Sequence, residues 1–282
     1  MYKKIMWFVD AQSPISASSY GKISTLASSL NASVTVMLDT RMRSLERWYW
    51  PKFDGFHKIK RDSEAIKTTL KNNISQELNS RNVEHDIVEI KADKFKSQII
   101  HMVDNNASTL FVVDHHKQSS QHPIFQMFTH INTAILILTD KPWKKPLNVV
   151  AAVDPLHEHS RSGTLDNQIV SLTKDLGKFM KIQWTVAHAC YVAPVLLEHK
   201  KRIIQTHADG LAEFAYDLNI PEKKTVLLKG MPEDVLPVWI EKNKIDLLLM
   251  GLVARNKLED FWVGSTTSAF LHKPPCDMLL VK

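Results

Sequence analysis

The chain has 282 residues, 44% of them hydrophobic and 23% charged, with 36 Lys and Arg against 30 Asp and Glu. That balance excludes a disordered chain and leaves room for one large or two ordinary folded domains. The net charge of +6 is scattered in short clusters (Arg41–Arg47, Lys141–Lys145, Lys200–Arg202). Such clusters read as solvated surface, not as the concentrated basic face of a nucleic-acid protein. Two cysteines, Cys190 and Cys276, make no disulfide framework, and their apolar contexts predict buried, reduced thiols. The run Ile5–Val9 is too short for a signal-peptide core. No stretch approaches the ~20 apolar residues of a membrane helix. The expected compartment is therefore the cytoplasm, with no membrane partner.

In chain order, the first apolar run is Lys4–Asp10, a strand ending in a carboxylate. A helical period follows over Ile15–Leu30, then a strand at Ser33–Leu38. A second helix is expected at Asp62–Ser80, a third strand at Asp86–Ile90 and a short helix at Lys94–Asn105. Strands at Thr109–Val113 and Ala134–Thr139 complete this series. Lys141-Pro-Trp-Lys-Lys-Pro146 then interrupts the pattern.

The series repeats. Leu147–Asp154 is again an apolar strand ending in Asp, offset from the first by 154 − 10 = 144 residues. Helical periods over Arg161–Phe179, Lys201–Leu218 and Pro232–Asn243 alternate with strands Gln183–Ala189, Thr225–Lys229, Asp246–Met250 and Asp277–Val281. Pro232 suits the first turn of its helix. This alternation predicts parallel βαβ units, and the duplication predicts tandem domains at residues 1–141 and 146–282. The expected fold is α/β: two doubly wound, flavodoxin-like parallel sheets of five strands, each in the order 3-2-1-4-5. Ligands of such sheets bind at the carboxyl ends of strands 1 and 4, where the order reverses. In the second half those ends carry Asp154 and Gly251.

Residues 246–267 hold the most informative motif. An apolar run ends at Gly251, Ala254 stands three positions later, nine residues follow, and then come Gly264, Ser265, Thr266 and Thr267. A strand, a small-residue loop and a hydroxylated helix start together form an anion site of backbone N–H groups and helix dipole. The first half lacks it. At an offset of 251 − 114 = 137, Asp114 and Lys117 stand in place of Gly251 and Ala254. Met127, Phe128 and Thr129 stand in place of Gly264, Ser265 and Thr266. A carboxylate repels phosphate, and bulky side chains fill the space. The first half is expected to be structural, or to hold a more apolar ligand.

Gly251-x-x-Ala254, nine residues, then Gly264-Ser265-Thr266 resembles the Gly-x-x-Gly…Gly-Ser/Thr pattern of nucleotide-binding universal stress proteins. The element order of both halves is similar to that family's, and the tandem arrangement resembles its E-type two-domain subgroup. The resemblance implies a pseudo-dimer with the two last strands side by side, a homodimer of tandem chains as a further possible assembly, and a stress-response role. It implies ATP or AMP in the C-terminal half. There Asp154 and Ala189 would lie by the nucleoside, and Gly251, Ala254, Gly264, Ser265 and Thr266 around ribose and phosphates. Arg255 offers a phosphate counter-charge. Ala254 departs from the pattern: if that position needs φ > 0, its Cβ costs roughly 1 kcal/mol.

Other constellations carry less. His115, His116 and His122, like His157 and His159, lack zinc-site spacing and read as solvated loop residues, so no metal is required. There is no Walker loop, dinucleotide fingerprint or Gly-x-Ser-x-Gly elbow. With no general base visible near the loop, a regulatory ligand-binding protein is favoured over an enzyme, with a slow ATPase as the alternative. Trp48-Tyr-Trp-Pro51, flanked by Arg41, Arg43 and Arg47, is the one aromatic-basic cluster. It leaves a nucleic-acid or protein-interaction module as a third reading, with nucleic acid unlikely. The Tyr191–Leu197 segment is expected, like that cluster, to cover an apolar crevice.

Overall fold

The computed structural model describes residues 2–40, 56–91, 94–104, 108–115, 122–156, 163–252, 254–255, 262–263 and 265–282. The first half contains β1 (Lys4–Asp10), α1 (Ala17–Leu30), β2 (Ser33–Asp39), α2 (Phe56–Ser80), β3 (His85–Ile90), α3 (Phe95–Asp104), β4 (Thr109–Asp114), α4 (Pro123–Gln126) and β5 (Ile135–Leu138). The second contains β6 (Leu147–Val153), α5 (Gly163–Phe179), β7 (Ile182–Cys190), α6 (Lys200–Asp217), β8 (Thr225–Lys229), α7 (Pro232–Lys242), β9 (Leu247–Gly251), β10 (Ala254–Arg255), β11 (Trp262–Val263), α8 (Ser265–His272) and β12 (Asp277–Val281).

Ten strands form one sheet in the order β3-β2-β1-β4-β5-β12-β9-β6-β7-β8. Each half has the order 3-2-1-4-5 with parallel pairing throughout. The two last strands join them antiparallel, Met278 against Ile137, Leu279 against Leu136 and Leu280 against Ile135. A pseudo-two-fold axis therefore passes near Leu136 and Leu279. All six of these side chains are buried, so the junction continues the core.

The strands read as unbroken apolar runs because helices cover both faces. In β1, Ile5, Trp7 and Val9 pack toward Ile23, Leu26 and Leu30 of α1 and Ile74 and Leu78 of α2. Met6 and Phe8 face the other way, toward Ile99 of α3 and Phe125 of α4. The second half repeats this, with α5 and α6 on the first face and α7 and α8 on the second. Cys190 and Cys276 are buried as free thiols.

The duplication extends to helix ends. Asn82 after α2 and Asn219 after α6 both adopt left-handed backbone, at φ 54° and 51°. Behind them Val83 N–H donates to Leu78 O and Ile220 N–H to Ala215 O. Asn tolerates that conformation and lets the turn satisfy the last carbonyls.

Candidate functional site

In the second half, β6 lies between β7 and β9. The register pairs Ala151 with Leu249. Continued two residues, it sets Val153 beside Gly251, so Asp154 and Gly251 emerge together at the carboxyl edge. Asp154 is buried, as is Gly251. The backbone then turns, held by Leu252 N–H donating to Val281 O at 2.7 Å. Ala189 sits half-buried near the end of β7 on the same edge.

The small ribbon β10–β11 explains the nine-residue spacing. Ala254 pairs with Val263 and Arg255 with Trp262, antiparallel. The chain thus returns on itself, so Ala254 lies beside the residue preceding Gly264, and α8 begins at Ser265. Ala254 is in a strand, not left-handed, so the conformational cost attached to its Cβ does not arise. Gly264 lies outside the described residues. Thr266 is half-buried, and its hydroxyl donates to Glu233 Oε2 of α7 at 3.3 Å. Thr267 is buried. The structure therefore gathers Asp154, Gly251, Ala254, Arg255, Ser265 and Thr266 at one end of the half, with Ala189 one strand away. It adds an acidic neighbour, Glu233.

Beneath this edge lies a histidine pair that the sequence reading missed. His188 Nδ1 is 3.1 Å from Val153 O, and His188 Nε2 is 2.7 Å from His207 Nδ1. A carbonyl only accepts, so His188 donates from Nδ1, and with neutral rings its Nε2 accepts from His207. The rings stack at 5.0 Å, and both residues are 2% exposed. The available signal was the buried stripe His207, Leu211, Ala215 on α6, which places His207 facing the sheet.

The equivalent edge of the first half carries side chains where the second half carries small residues. Asp114 ends β4 with its carboxylate turned inward. It accepts from Trp7 Nε1 at 2.8 Å and from Ser19 Oγ at 2.5 Å. Ser19 has one hydroxyl proton, so Ser16 Oγ, 3.0 Å away, donates to Ser19. Asp10 and Asp39, cross-strand neighbours, complete a carboxylate edge. His122 contradicts its reading as a solvated loop residue. It is 6% exposed, and its Nδ1 accepts from Ile124 N–H as the cap of α4. That fixes the proton on Nε2, which faces Asp39 at 3.7 Å and Asp10 at 3.8 Å. His115, half-buried, bonds Leu271 O through Nε2 at 2.8 Å and is likewise not a solvated loop residue. Met127 and Phe128 are fully buried, as the sequence comparison predicts. Among the described residues a cavity of about 20 Å³ remains there, lined by Phe8, Asp10, Asp114 and His122. Among the described residues, no three His, Cys, Asp or Glu are placed to hold a metal. His116, Lys117, His157, His159 and the Arg41–Pro51 cluster lie outside the described residues.

The segment after β7 departs from expectation. Pro194–His199 forms a short 3-10 helix with no buried residue, so it covers no crevice.

Residues 145–282 match the universal stress protein family model. A universal stress protein E from Salmonella typhi is 24% identical over 161 residues, covering 52% of this chain and 50% of that protein. The Escherichia coli K12 universal stress protein E is 22% identical over 161 residues, with the same coverage of 52% and 50%. The chain thus spans about half the length of the curated relatives it matches. A crystal structure of a putative universal stress protein from Pseudomonas aeruginosa UCBPP-PA14 superposes with a TM-score of 0.72 at 15% identity, covering 100% of this chain and 93% of that one. One from Archaeoglobus fulgidus gives a TM-score of 0.63 at 13% identity, covering 98% and 96%. The structures share the fold, and the matched second half carries the family's sequence signature. The second half of the chain thus matches the universal stress protein family, and the whole chain shares the fold of that family's solved members.

Proposed function

We propose that the second half binds an adenine nucleotide, ATP or AMP, and that the chain acts in the stress response as a ligand-binding, regulatory protein of the cytoplasm rather than as an enzyme. The observation that supports this is the meeting of Asp154 and Gly251 at the strand-order reversal, across 251 − 154 = 97 residues. Gly251 lets a ligand approach the backbone, and the N-terminus of α8 presents backbone N–H donors to phosphate. On this reading Asp154 and Ala189 contact the nucleoside, and Gly251, Ala254, Arg255, Gly264, Ser265 and Thr266 surround ribose and phosphates. Glu233 opposes a polyphosphate, so its carboxylate turns away from Thr266 or weakens binding. Residues 1–141 serve as a degenerate partner domain to residues 146–282.

A thermal-shift titration with ATP and AMP tests the proposal. Ligand at 100 times its dissociation constant stabilises by about 2.7 kcal/mol. Gly264→Asp abolishes the shift by placing a carboxylate in the phosphate position. No shift in the wild type, or an undiminished shift in Gly264→Asp, contradicts the assignment.

A further inference from the structure

The Pro194–His199 helix and the start of α6 form an exposed tip following the end of β7 in the second half. Val195 is 86% exposed, Leu197 56% and Leu196 42%. Soluble proteins expose single apolar residues freely, but three in succession on one turn mark a contact surface. The next turn carries Lys200, Lys201 and Arg202, all exposed. These cations occupy the first turn of α6, the positive end of its dipole, and the helix has neither an acidic residue there nor a side-chain cap. Glu198, exposed at the end of the 3-10 helix, offsets one of the three charges, and the remaining excess is unfavourable at a helix N-terminus. Negative charge from outside reverses it.

From these observations we propose that this tip docks on an anionic phospholipid surface. The leucines and Val195 enter the headgroup boundary, and the three cations one turn later meet lipid phosphates. The arrangement matches the two-part pattern of interfacial binding, apolar insertion beside basic residues. No helix of the described residues is long and apolar enough to cross a membrane, so attachment is peripheral. Because the tip follows β7, docking brings the edge bearing Asp154 and Gly251 close to the bilayer.

The test is sedimentation of the full chain with vesicles. Vesicles of phosphatidylcholine containing about one-quarter phosphatidylglycerol carry the chain down, and pure phosphatidylcholine does not. Binding falls as salt rises from about 50 to about 500 mM. The double variant Val195→Ser/Leu197→Ser and the triple variant Lys200→Glu/Lys201→Glu/Arg202→Glu each weaken binding by about tenfold or more while keeping wild-type circular dichroism. Leu196→Trp fluorescence shifts to the blue on adding anionic vesicles. Three outcomes overturn the proposal. The wild type stays in the supernatant, as when the tip docks in a protein groove instead. The tip variants sediment like wild type. Or Lys141→Glu/Lys144→Glu/Lys145→Glu, a basic cluster elsewhere, causes an equal loss, the mark of unspecific adsorption.

Discussion

Lys22 on α1 and Asp277 at the start of β12 form a buried ion pair across the seam between the halves, with Nζ 2.7 Å from Oδ2 and both side chains 2% exposed. The carboxylate also accepts from Thr139 N and Oγ1 and from Trp143 Nε1, each at 2.7 Å. Lys22 donates a further hydrogen bond to Thr139 O at 2.7 Å. Burial pushes the Asp277 carboxyl above the usual carboxylate range, against the pull of Lys22 and the Thr139 donors. The pseudo-two-fold counterpart of Asp277 is Ala134, offset by 279 − 136 = 143. The two flanks of the seam therefore differ, with a carboxylate on one and Ala134 at the matching position of the other.

Lys22→Met strands that carboxylate and destabilises the chain by about 3–5 kcal/mol. The double variant Lys22→Met/Asp277→Asn recovers part of the loss, because a neutral amide needs no counter-charge. Urea unfolding of the four cycle members measures the coupling. Equal stability of Lys22→Met and wild type contradicts the account.

Asp114→Ala leaves Trp7 Nε1 and Ser19 Oγ without their acceptor in the interior. An unsatisfied buried donor costs about 1–3 kcal/mol, so a midpoint decrease of that order or more is expected. The variant gains no nucleotide affinity, because Asp10 and Asp39 remain. A Gly264→Asp chain carrying Asp114→Ala that binds ATP contradicts this.

Tyr20 packs edge-on against Trp7 at 5.5 Å. Burial raises Tyr20 to about 12, with Glu77 and Asp114 adding to the shift. Burial alone raises Tyr2 to about 12. In the unfolded chain both ionise near their ordinary value of 10.0. A raised acid stabilises the fold fully below the unfolded value and loses that contribution as pH rises through the folded one. Stability therefore declines from about pH 10 to 12. Tyr2→Phe/Tyr20→Phe flattens the decline in alkaline unfolding curves.

Much of the fold was legible because period and polarity agree. Thr225–Lys229 and Asp277–Val281 have the predicted bounds, and most other elements shift by a residue or two. α2 begins earlier than the Asp62 expected from its period, at Phe56. The backbone geometry of the candidate site was legible in part. The meeting of Gly251 and Asp154 follows from topology, whereas the ribbon that pairs Ala254 with Val263 left no period to read. Side-chain partners separated by long stretches were not legible: Trp7 with Asp114, His188 with His207 and Lys22 with Asp277 each require the folded geometry. His122 misled because a loop position says nothing of burial, whereas its ring caps α4. Tyr191–Leu197 misled because apolar content there signals exposure to a partner, not internal covering.

Glu233 gives the nucleotide assignment a second handle. Thr266 donates to its carboxylate at the start of α8. Glu233→Gln removes the negative charge and strengthens ATP binding by about 1 kcal/mol or more, read as a roughly fivefold lower dissociation constant.

Titration calorimetry of ATP or AMP into the full chain tests the central claim most directly, with wild type, Glu233→Gln and Gly264→Asp compared. The account predicts one site per chain, tighter in Glu233→Gln and lost in Gly264→Asp. Two sites per chain, or no heat with any of the three proteins, contradicts it.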